Sequence, residues 1–302
     1  MGAPMIQPQT MSIDWQALRE PLDDRARAIE LAWEFARMVP SRPHILDLGA
    51  GVGANVRHLL PRLGRMIQDW TLMDTDAAVL GGVAERMQRW GHELGWRVAR
   101  NPPPDATPGA LGELILFGDD MRSRLTLIEK DMSTDLHDLG IQRHDGVAGN
   151  AFFDRVSAEW LDHFVTELIA SGLPPVLATS LQDGRVLWRP EDPDDGMVLE
   201  LASAAAGRDH GFGPPLGDGA ADALVAKLEA VGYRLDGARS DWRLSGPRSR
   251  QTHLDLVDML AAQAEARDPA MADRIAAWRE RRRAEVMRAE LTIGHADILA
   301  RR

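Results

Sequence analysis

The sequence predicts an α/β protein with a doubly wound, mostly parallel sheet of seven strands and helices on both faces. Its last strand is expected to be antiparallel and to follow a helical insertion. Three observations support this fold class. An apolar run, His44–Leu48, opens into the glycines Gly49, Gly51 and Gly53, and a helical pattern follows. Strand-like and helix-like segments then alternate along the chain. Hydrophobic residues make up 44% of the chain, which suffices for a core without disulfides.

The first part of the chain alternates regularly between helix and strand patterns. An amphipathic helix precedes the first strand, and a segment with four prolines and a glycine must be a loop. In order, the predicted elements are helix 23–39, strand 44–48, helix 54–63, strand 69–76, helix 77–94, loop 101–109, strand 123–132, strand 144–153 and helix 157–171.

The remainder is less regular. Residues 173–190 predict a fifth strand that turns at Asp183-Gly184 into a hairpin partner. A helix over 221–232, a sixth strand over 233–244, helices over 252–266 and 269–290, and a last strand over 290–300 follow. This layout divides the chain into an N-terminal helical segment (1–40), a ligand-binding core (41–247), a helical insertion or lid (248–290) and a final core strand (291–302).

Composition excludes several classes of function. The chain has no cysteine, so thiolate metal sites and cysteine nucleophiles are impossible. The net charge of −11 disfavours nucleic acid as a partner, and the basic stretch 278–288 is interpreted as a solvated helix face. No secretory signal, membrane-length apolar run or metal-ligand spacing is visible, so we expect a cytoplasmic protein without a metal or a membrane partner.

The glycine turn and two carboxylates narrow the choice of ligand. The spacing is G-x-G-x-G, and Val56 follows three residues later, which weakens the match to a dinucleotide fingerprint. Asp74, at the end of the second strand, suits the hydroxyls of a ribose. Asp47, just before the turn, would repel a pyrophosphate and attract an ammonium group. S-adenosylmethionine carries both an adenosine and an amino acid, and so fits both carboxylates.

These residues also carry a family resemblance. "ILDLGAGVG" resembles the first motif of the class I, Rossmann-like S-adenosylmethionine-dependent methyltransferases, and the resemblance extends over most of the chain. More loosely, "DHGFGPPLG" and "SDWRL" resemble uncharacterised bacterial members. Besides Asp47 and the three glycines, the resemblance implies cofactor roles for Asp74 at the ribose, Thr75 beside the adenine, Asp131 at the adenine amino group, Met132 against its ring, and Gly149 and Asn150 at the methionine end. Asp131 as a solvated strand end or cap, and Met132 as a core residue, are the alternatives.

The catalytic residue is harder to identify, because methyl transfer from a sulfonium is an in-line displacement that needs mainly proximity and alignment. A general base is required only for a protonated nucleophile. The candidates are His210, in a glycine-rich loop, and Asp154, which could instead cap the helix near Ser157. "NAFFD" departs from an Asn-Pro-Pro-aromatic signature of the superfamily, which puts methylation of nucleic-acid bases or glutamine in doubt.

Two tryptophans, Trp188 and Trp242, could wall an apolar or cationic substrate, or could lie in the core. His295, in the last strand, is expected to be structural. The sequence therefore predicts a methyltransferase that modifies oxygen or nitrogen of a small molecule. A non-catalytic S-adenosylmethionine sensor is the alternative, and a nucleotide-dependent oxidoreductase is disfavoured by Val56 and Asp47. The sequence does not predict the oligomeric state or the acceptor.

Overall fold

A mixed sheet runs through the protein and carries helices on both faces. The computed structural model describes residues 13–103, 107–134, 136–206, 209 and 211–302. The helices are α1 (Ile13–Ala26), α2 (Ile29–Met38), α3 (Ala54–Leu63), α4 (Ala77–Gly81), α5 (Val83–Glu93), α6 (Ala158–Ala170), α7 (Asp195–Ala206), α8 (Ala220–Ala230), α9 (Gly246–Arg267) and α10 (Ala272–Glu285). The strands are β1 (His44–Leu48), β2 (Ile67–Asp74), β3 (Arg97–Asn101), β4 (Ala110–Phe117), β5 (Arg122–Glu129), β6 (Gly146–Asn150), β7 (Val176–Arg189), β8 (Arg234–Arg239), β9 (Trp242–Leu244) and β10 (Glu290–Arg301).

The strand order confirms the predicted fold class. Seven strands form the centre in the order β5-β2-β1-β6-β7-β10-β8. The first five of these are parallel, whereas β10 runs antiparallel to both β7 and β8. The order reverses at β1, which pairs with β2 on one side and β6 on the other. Ligands of open α/β sheets bind at such a switch point, outside the carboxyl ends of the strands. The glycine turn lies at this position.

Two further strands, β3 and β4, were not predicted, and a third, β9, is the end of the predicted sixth strand. Strands β3 and β4 form an antiparallel hairpin that extends the sheet beyond β5, and β9 pairs with β10. The predicted loop 101–109 falls between β3 and β4, except that Asn101 still belongs to β3; its residues 104–106 lie outside the described residues. The hairpin escaped prediction because β3 is an edge strand that buries little and has no apolar run. The predicted sixth strand is divided into β8 and β9 at Ser240-Asp241, where the hydroxyl of Ser240 donates to Asp297.

The predicted helix 77–94 is also divided, into α4 and α5, and two further predicted elements were wrong in continuity. The Asp183-Gly184 dipeptide is not a hairpin turn, because β7 continues through it. The pairing of β7 with β10 shifts in register at this dipeptide and resumes on its other side. The N-terminal segment is not one helix over 23–39 but two, α1 and α2. They separate at Ala28, whose backbone is extended and whose N–H donates to the Asp297 carboxylate at 2.8 Å.

The hydrophobic core has three parts. Two lie on opposite faces of the sheet, one beneath α6 and α8 and the other beneath α2, α3 and α5. The third lies beyond the carboxyl ends of the parallel strands. It joins α1, α7, α9 and α10 to β9 and the far ends of β7 and β10, through buried side chains that include Trp15, Leu22, Trp188, Val198, Trp242, Leu256, Trp278 and Ile293. We call this third unit the cap.

The cap also corrects the interpretation of the basic stretch 278–288. Trp278 and Arg282 are fully buried, and Arg282 binds Asp195 and donates to the carbonyl of Pro190 at 3.0 Å. Its exposed neighbour Arg281 pairs with Asp192 at 2.6 Å. The stretch therefore has a buried face as well as a solvated one. Across the residues described, no helix is both long enough and apolar enough to cross a lipid bilayer.

Two histidines share one hydroxyl at the amino edge of the sheet. The Nε2 atoms of His44 and His144 each lie 2.9 Å from Oγ1 of Thr71, and the two rings are 4.2 Å apart. The Nδ1–H of His144 donates to the carbonyl of Gly140 at 2.8 Å, so its Nε2 accepts from Thr71 while His44 donates to Thr71. Burial lowers the pKa of His144 to about 4, helped by His44, and burial also lowers that of His44.

This arrangement predicts a loss of stability in acid. The unfolded chain takes up a proton near the ordinary pKa of 6.5, before the folded protein does, so the contribution of His144 is complete above 6.5 and is lost as the pH falls toward 4. Through His144 alone, the free energy of unfolding should fall by up to roughly 3 kcal/mol. Urea unfolding between pH 7.5 and pH 4.5 measures it. The variant His144→Gln should flatten the dependence, whereas the exposed control His137→Gln should not; equal slopes in both variants would contradict this origin.

Candidate active site

The glycine turn is built so that only glycine fits. Gly49, Gly51 and Gly53 have φ angles of +65°, +54° and +80°, a region that other residues rarely adopt. A Cβ atom at Gly49 would lie 2.5 Å from the Phe152 ring, and one at Gly51 would clash with Oε1 of Gln16. The turn therefore has both a left-handed backbone and close neighbours.

Gly49→Ala should destabilise the protein by about 2–4 kcal/mol, because left-handed strain and a clash with Phe152 act together. Gly64 provides the matched control, since its φ is +60° and an added Cβ there meets nothing within 4 Å. Gly64→Ala should cost only about 1 kcal/mol, from strain alone. Urea denaturation of both variants measures the difference, and equal losses would show that contact with Phe152 contributes nothing.

Asp47, at the carboxyl side of β1, is fully buried. Its Oδ1 accepts a hydrogen bond of 2.6 Å from Nδ2 of Asn55, whose own Oδ1 accepts from Arg27 at 3.1 Å. Oδ2 of Asp47 has no hydrogen-bond partner among the residues described. Burial raises the pKa of Asp47 to about 7. A buried acceptor without a partner is costly, and a ligand that donates a hydrogen bond here would relieve that cost.

Asp74 faces the same turn from the end of β2. Its Oδ2 accepts from the N–H of Gly51 at 2.8 Å, and its Oδ1 accepts from the N–H of Asp76 at 3.1 Å. A carboxylate has about four acceptor positions, so two remain for hydroxyl groups. Burial raises the pKa of Asp74. Thr75, the next residue, is exposed.

Asp131, Met132 and Gly149, which were predicted to contact the cofactor, lie in different environments. Asp131 is exposed and accepts from the N–H and hydroxyl of Ser133 at 2.9 and 2.6 Å, and this hydroxyl bond lowers the pKa of Asp131. Met132 is 1% exposed and belongs to the hydrophobic core. Gly149 is close-packed, since an added Cβ would lie 2.9 Å from the ring of Phe153. Asp131 thus closes its own turn, and Met132 is buried.

Helix α1, which belongs to the expected N-terminal helical segment 1–40, covers the glycine turn. Oε1 of Gln16 accepts from the N–H of Val52 at 2.8 Å. Arg57, on α3, donates to both carboxylate oxygens of Glu20 at 2.6 and 2.7 Å, and to the carbonyl of Val52 at 2.8 Å. Polar side chains of α1 therefore hold it against the turn on two sides.

Asp23 is the centre of the contact between α1 and the sheet. It is 1% exposed and accepts from Nε of Arg19 at 2.9 Å, from Nδ2 of Asn150 at 3.1 Å and from Nε1 of Trp242 at 2.9 Å. Burial alone would raise its pKa, but the guanidinium groups of Arg19 and Arg27 outweigh burial and lower it to about 2. Oδ1 of Asn150 accepts from the hydroxyl of Thr179 at 3.0 Å. Both ends of the Asn150 amide are thus engaged.

Of the two predicted catalytic candidates, one lies within the described residues. Asp154 is fully buried, and burial raises its pKa, against the opposing charges of Arg19 and Arg155. It does not cap α6, because the hydroxyl of Ser157 accepts from the N–H of Trp160 at 3.1 Å and caps that helix. His210 lies outside the described residues.

The structure separates the two predicted substrate tryptophans. Trp242 lies at the site through its bond to Asp23, with the guanidinium carbon of Arg19 5.5 Å from its ring centre. Trp188 is enclosed in the cap by Trp278 and Arg282, at 5.7 and 4.9 Å. Trp188 is therefore a core residue of the cap.

His295, expected to be structural, is fully buried beside Trp242, with ring centres 4.7 Å apart. Its Nδ1–H donates to the carbonyl of Ile293 at 3.1 Å, and in the described part of the protein its Nε2 has no partner. Burial lowers its pKa to about 4, so it is neutral near pH 7.

Several buried polar atoms near the turn lack partners within the described residues. They are Oδ2 of Asp47, Nη1 of Arg19, Nε of Arg27 and Nε of Arg155. An acceptor and several donors of positive charge are what a zwitterionic amino acid requires. Within the same described residues, no three histidine, aspartate or glutamate side chains are grouped so that they could hold a metal ion.

Comparison with known proteins finds similarity of structure only. No family model matches the chain, and no curated protein matches it in sequence. A cyclopropane-fatty-acyl-phospholipid synthase-like protein from Lactobacillus casei is 17% identical with a TM-score of 0.49, covering 99% of this chain and 95% of that chain. A cyclopropane synthase from Mycobacterium tuberculosis is 11% identical with a TM-score of 0.43, covering 100% and 90%. Precorrin-6y C5,15-methyltransferase from Geobacter metallireducens is 10% identical with a TM-score of 0.43, covering 91% of this chain and 86% of that chain. Similarities this distant assign no activity to the chain.

Proposed function

We propose that this protein is an S-adenosylmethionine-dependent methyltransferase that modifies an oxygen or nitrogen atom of a small molecule. The observation that carries the proposal is the pair of carboxylates at the glycine turn. Asp47 presents a buried oxygen without a described partner, and Asp74 keeps acceptor capacity on the other side of the turn. Both lie at the point where the strand order reverses, where ligands of such sheets bind.

The residues present fit the cofactor. Asp47 would hold the methionine ammonium group through Oδ2, and Asp74 would accept from the ribose hydroxyls. The buried guanidinium of Arg19, whose Nη1 lacks a described partner, would hold the methionine carboxylate. Asp131 and Met132 remain proposed residues of the adenine side, and Thr75, Gly149 and Asn150 complete the proposed set.

The bound cofactor would supply an electrophilic methyl group on sulfur. The protein's part is to align the acceptor and to exclude water, which α1 does by covering the turn. A hydroxyl or ammonium acceptor must also lose a proton. We assign this proton to the carboxylate of Asp154, because burial raises its pKa and so its affinity for a proton. His210 is the second candidate.

The small size of the acceptor is inferred from the cap and from charge. The helical insertion 248–290, together with α1, is proposed as a lid over the carboxyl edge of the core, which leaves little room for a macromolecule. A net charge of −11 also disfavours nucleic acid. We place this activity in the cytoplasm.

Calorimetry with S-adenosylmethionine and with NAD tests the cofactor assignment. We expect S-adenosylmethionine to bind and NAD not to bind; the reverse would favour an oxidoreductase and overturn the proposal. Incubation with S-adenosylmethionine and a panel of hydroxyl- and amine-bearing metabolites should then yield S-adenosylhomocysteine with at least one of them.

A non-catalytic S-adenosylmethionine sensor is the second candidate. The engaged Asn150 amide favours it, since Asp23 and Thr179 occupy both ends of this side chain and leave it no free group for an acceptor. Tight binding of S-adenosylmethionine without formation of S-adenosylhomocysteine across the panel would support this alternative over catalysis.

A further inference from the structure

A cavity lies between α1 and the end of the sheet that carries β8 and β9, away from the glycine turn. Its volume is about 380 Å³. Leu22, Arg25 and Ala26 line it from α1, and the opposite wall comes from the segment between β8 and the middle of β9, namely Arg239, Asp241, Trp242 and Arg243.

Its charge is opposite to that of the whole chain. Three arginines face one carboxylate here, although the net charge of the protein is −11. The Asp241 carboxylate is already engaged, because it accepts from Arg185 and from Arg239, each at 2.8 Å. The guanidinium groups of Arg25 and Arg243 make no hydrogen bond or ion pair with any residue that the structure describes, and both are exposed. Two arginines are therefore available for an anion.

The remaining wall is apolar. Leu22 and Ala26 contribute aliphatic surface, and Trp242 contributes its indole, whose N–H is turned away toward Asp23. Guanidinium groups recognise carboxylates and phosphates through paired hydrogen bonds and also stack on flat apolar groups. The chemistry of the wall thus suits a ligand with an anionic group attached to a small apolar body.

The cavity adjoins the candidate active site through one residue. Asp23 accepts from Nε1 of Trp242 and from Nδ2 of Asn150, at 2.9 and 3.1 Å. The Asp23 carboxylate therefore links the indole that lines the cavity to Asn150, a residue of the proposed methionine end. A molecule bound against Trp242 would contact a residue that helps to hold α1 to the sheet.

We propose that the cavity bounded by Arg25, Arg239 and Arg243 binds the carboxylate or phosphate of an anionic, partly apolar small molecule. This anion site does not depend on the proposed function. Arg25 and Arg243 hold the anionic group, and Trp242 packs against the apolar body. Because Arg25 belongs to α1, the bound ligand also ties this helix to the sheet edge.

Calorimetry on the full chain with three probes of similar size tests the site: benzoate, phenyl phosphate and benzyl alcohol. We expect at least one of the two anions to bind at least tenfold more tightly than the uncharged alcohol. The double variant Arg25→Gln/Arg243→Gln should weaken anion binding at least tenfold, since two charge-assisted hydrogen-bonding groups are lost. Comparison of benzoate with phenyl phosphate identifies which anionic group is preferred.

Arg100→Gln is the matched control, because Arg100 is an exposed arginine on β3, at the opposite edge of the sheet. It should bind the probes as the unmodified protein does. Equal binding of benzyl alcohol, an equal loss in Arg100→Gln, or no binding of either anion at millimolar concentration would overturn the proposal. Affinity for S-adenosylmethionine, measured separately, should be unchanged in the double variant. If the unmodified protein does not bind S-adenosylmethionine, the proposed function is wrong, but the anion site is not thereby overturned.

Discussion

Replacement of Asp47 by alanine should reduce the affinity for S-adenosylmethionine at least a hundredfold while the protein stays folded. The bound ammonium group would lose its only proposed carboxylate partner in a fully buried position, and removal of one member of a buried charge pair typically costs about 2–5 kcal/mol. Asp47→Asn should lose the same affinity, because asparagine carries no charge. It should be the more stable of the two variants, since its side-chain oxygen can still accept from Asn55.

Calorimetry and urea denaturation on both variants measure these effects. Asp69→Asn, which changes an exposed carboxylate at the amino end of the neighbouring strand β2, is the control and should bind normally. Undiminished binding in Asp47→Ala would overturn the assignment of the glycine turn.

Binding of S-adenosylmethionine should also weaken in acid. The pKa of Asp47 is raised by burial to about 7, and an ammonium ligand favours the ionised carboxylate. Below pH 7 the ligand must therefore displace a proton, so affinity should fall as the pH decreases from 7 toward 5.5. Calorimetry in buffers with different ionisation enthalpies detects the released proton. A flat profile would contradict the role of this carboxylate.

Asp23→Ala should produce the largest loss of stability, about 3–5 kcal/mol. The substitution leaves the guanidinium of Arg19 buried without its carboxylate, and it removes the acceptor from Asn150 and Trp242. Because these contacts hold α1 to the sheet, amide exchange in α1 should increase more than amide exchange in the central strands. Asp24→Ala is the matched control. The Asp24 side chain is 51% exposed and pairs with His58, so its removal should cost at most about 1 kcal/mol.

Asp23 should also make the stability of the protein depend on pH. Neighbouring guanidinium groups lower its pKa, whereas burial lowers the pKa of the histidines. Its folded pKa of about 2 lies below the ordinary value of 3.8, so its contribution is present above 3.8 and is lost as the pH falls from 3.8 to 2. The size of this contribution is roughly 2 kcal/mol. Urea unfolding in this range should show a loss in the unmodified protein that is absent from Asp23→Ala. An identical dependence in both proteins would exclude Asp23 as its source.

The sequence was sufficient for strands such as β1 and β2, because each is largely buried and ends in a polar or glycine-rich turn. It was insufficient for β3, which has no apolar run, and for β7, whose continuity depends on pairing with β10 rather than on its own residues. The carboxylates Asp47 and Asp74 were identified because they flank a recognisable turn. Asp23 was not, because its partners Asn150 and Trp242 lie 127 and 219 residues away along the chain.

The pairing of β7 with β10 also constrains how ligands enter. This antiparallel ladder runs without a break in strand direction from the centre of the sheet into the cap, from Ala300 opposite Val176 to Glu290 opposite Arg189. The strands β7 and β10 cannot separate within the cap without breaking main-chain hydrogen bonds. Helix α1 is attached by side chains instead, so we expect it to be the part that gives way. Under the proposed function, cofactor and acceptor would then reach the site by the same opening beneath α1.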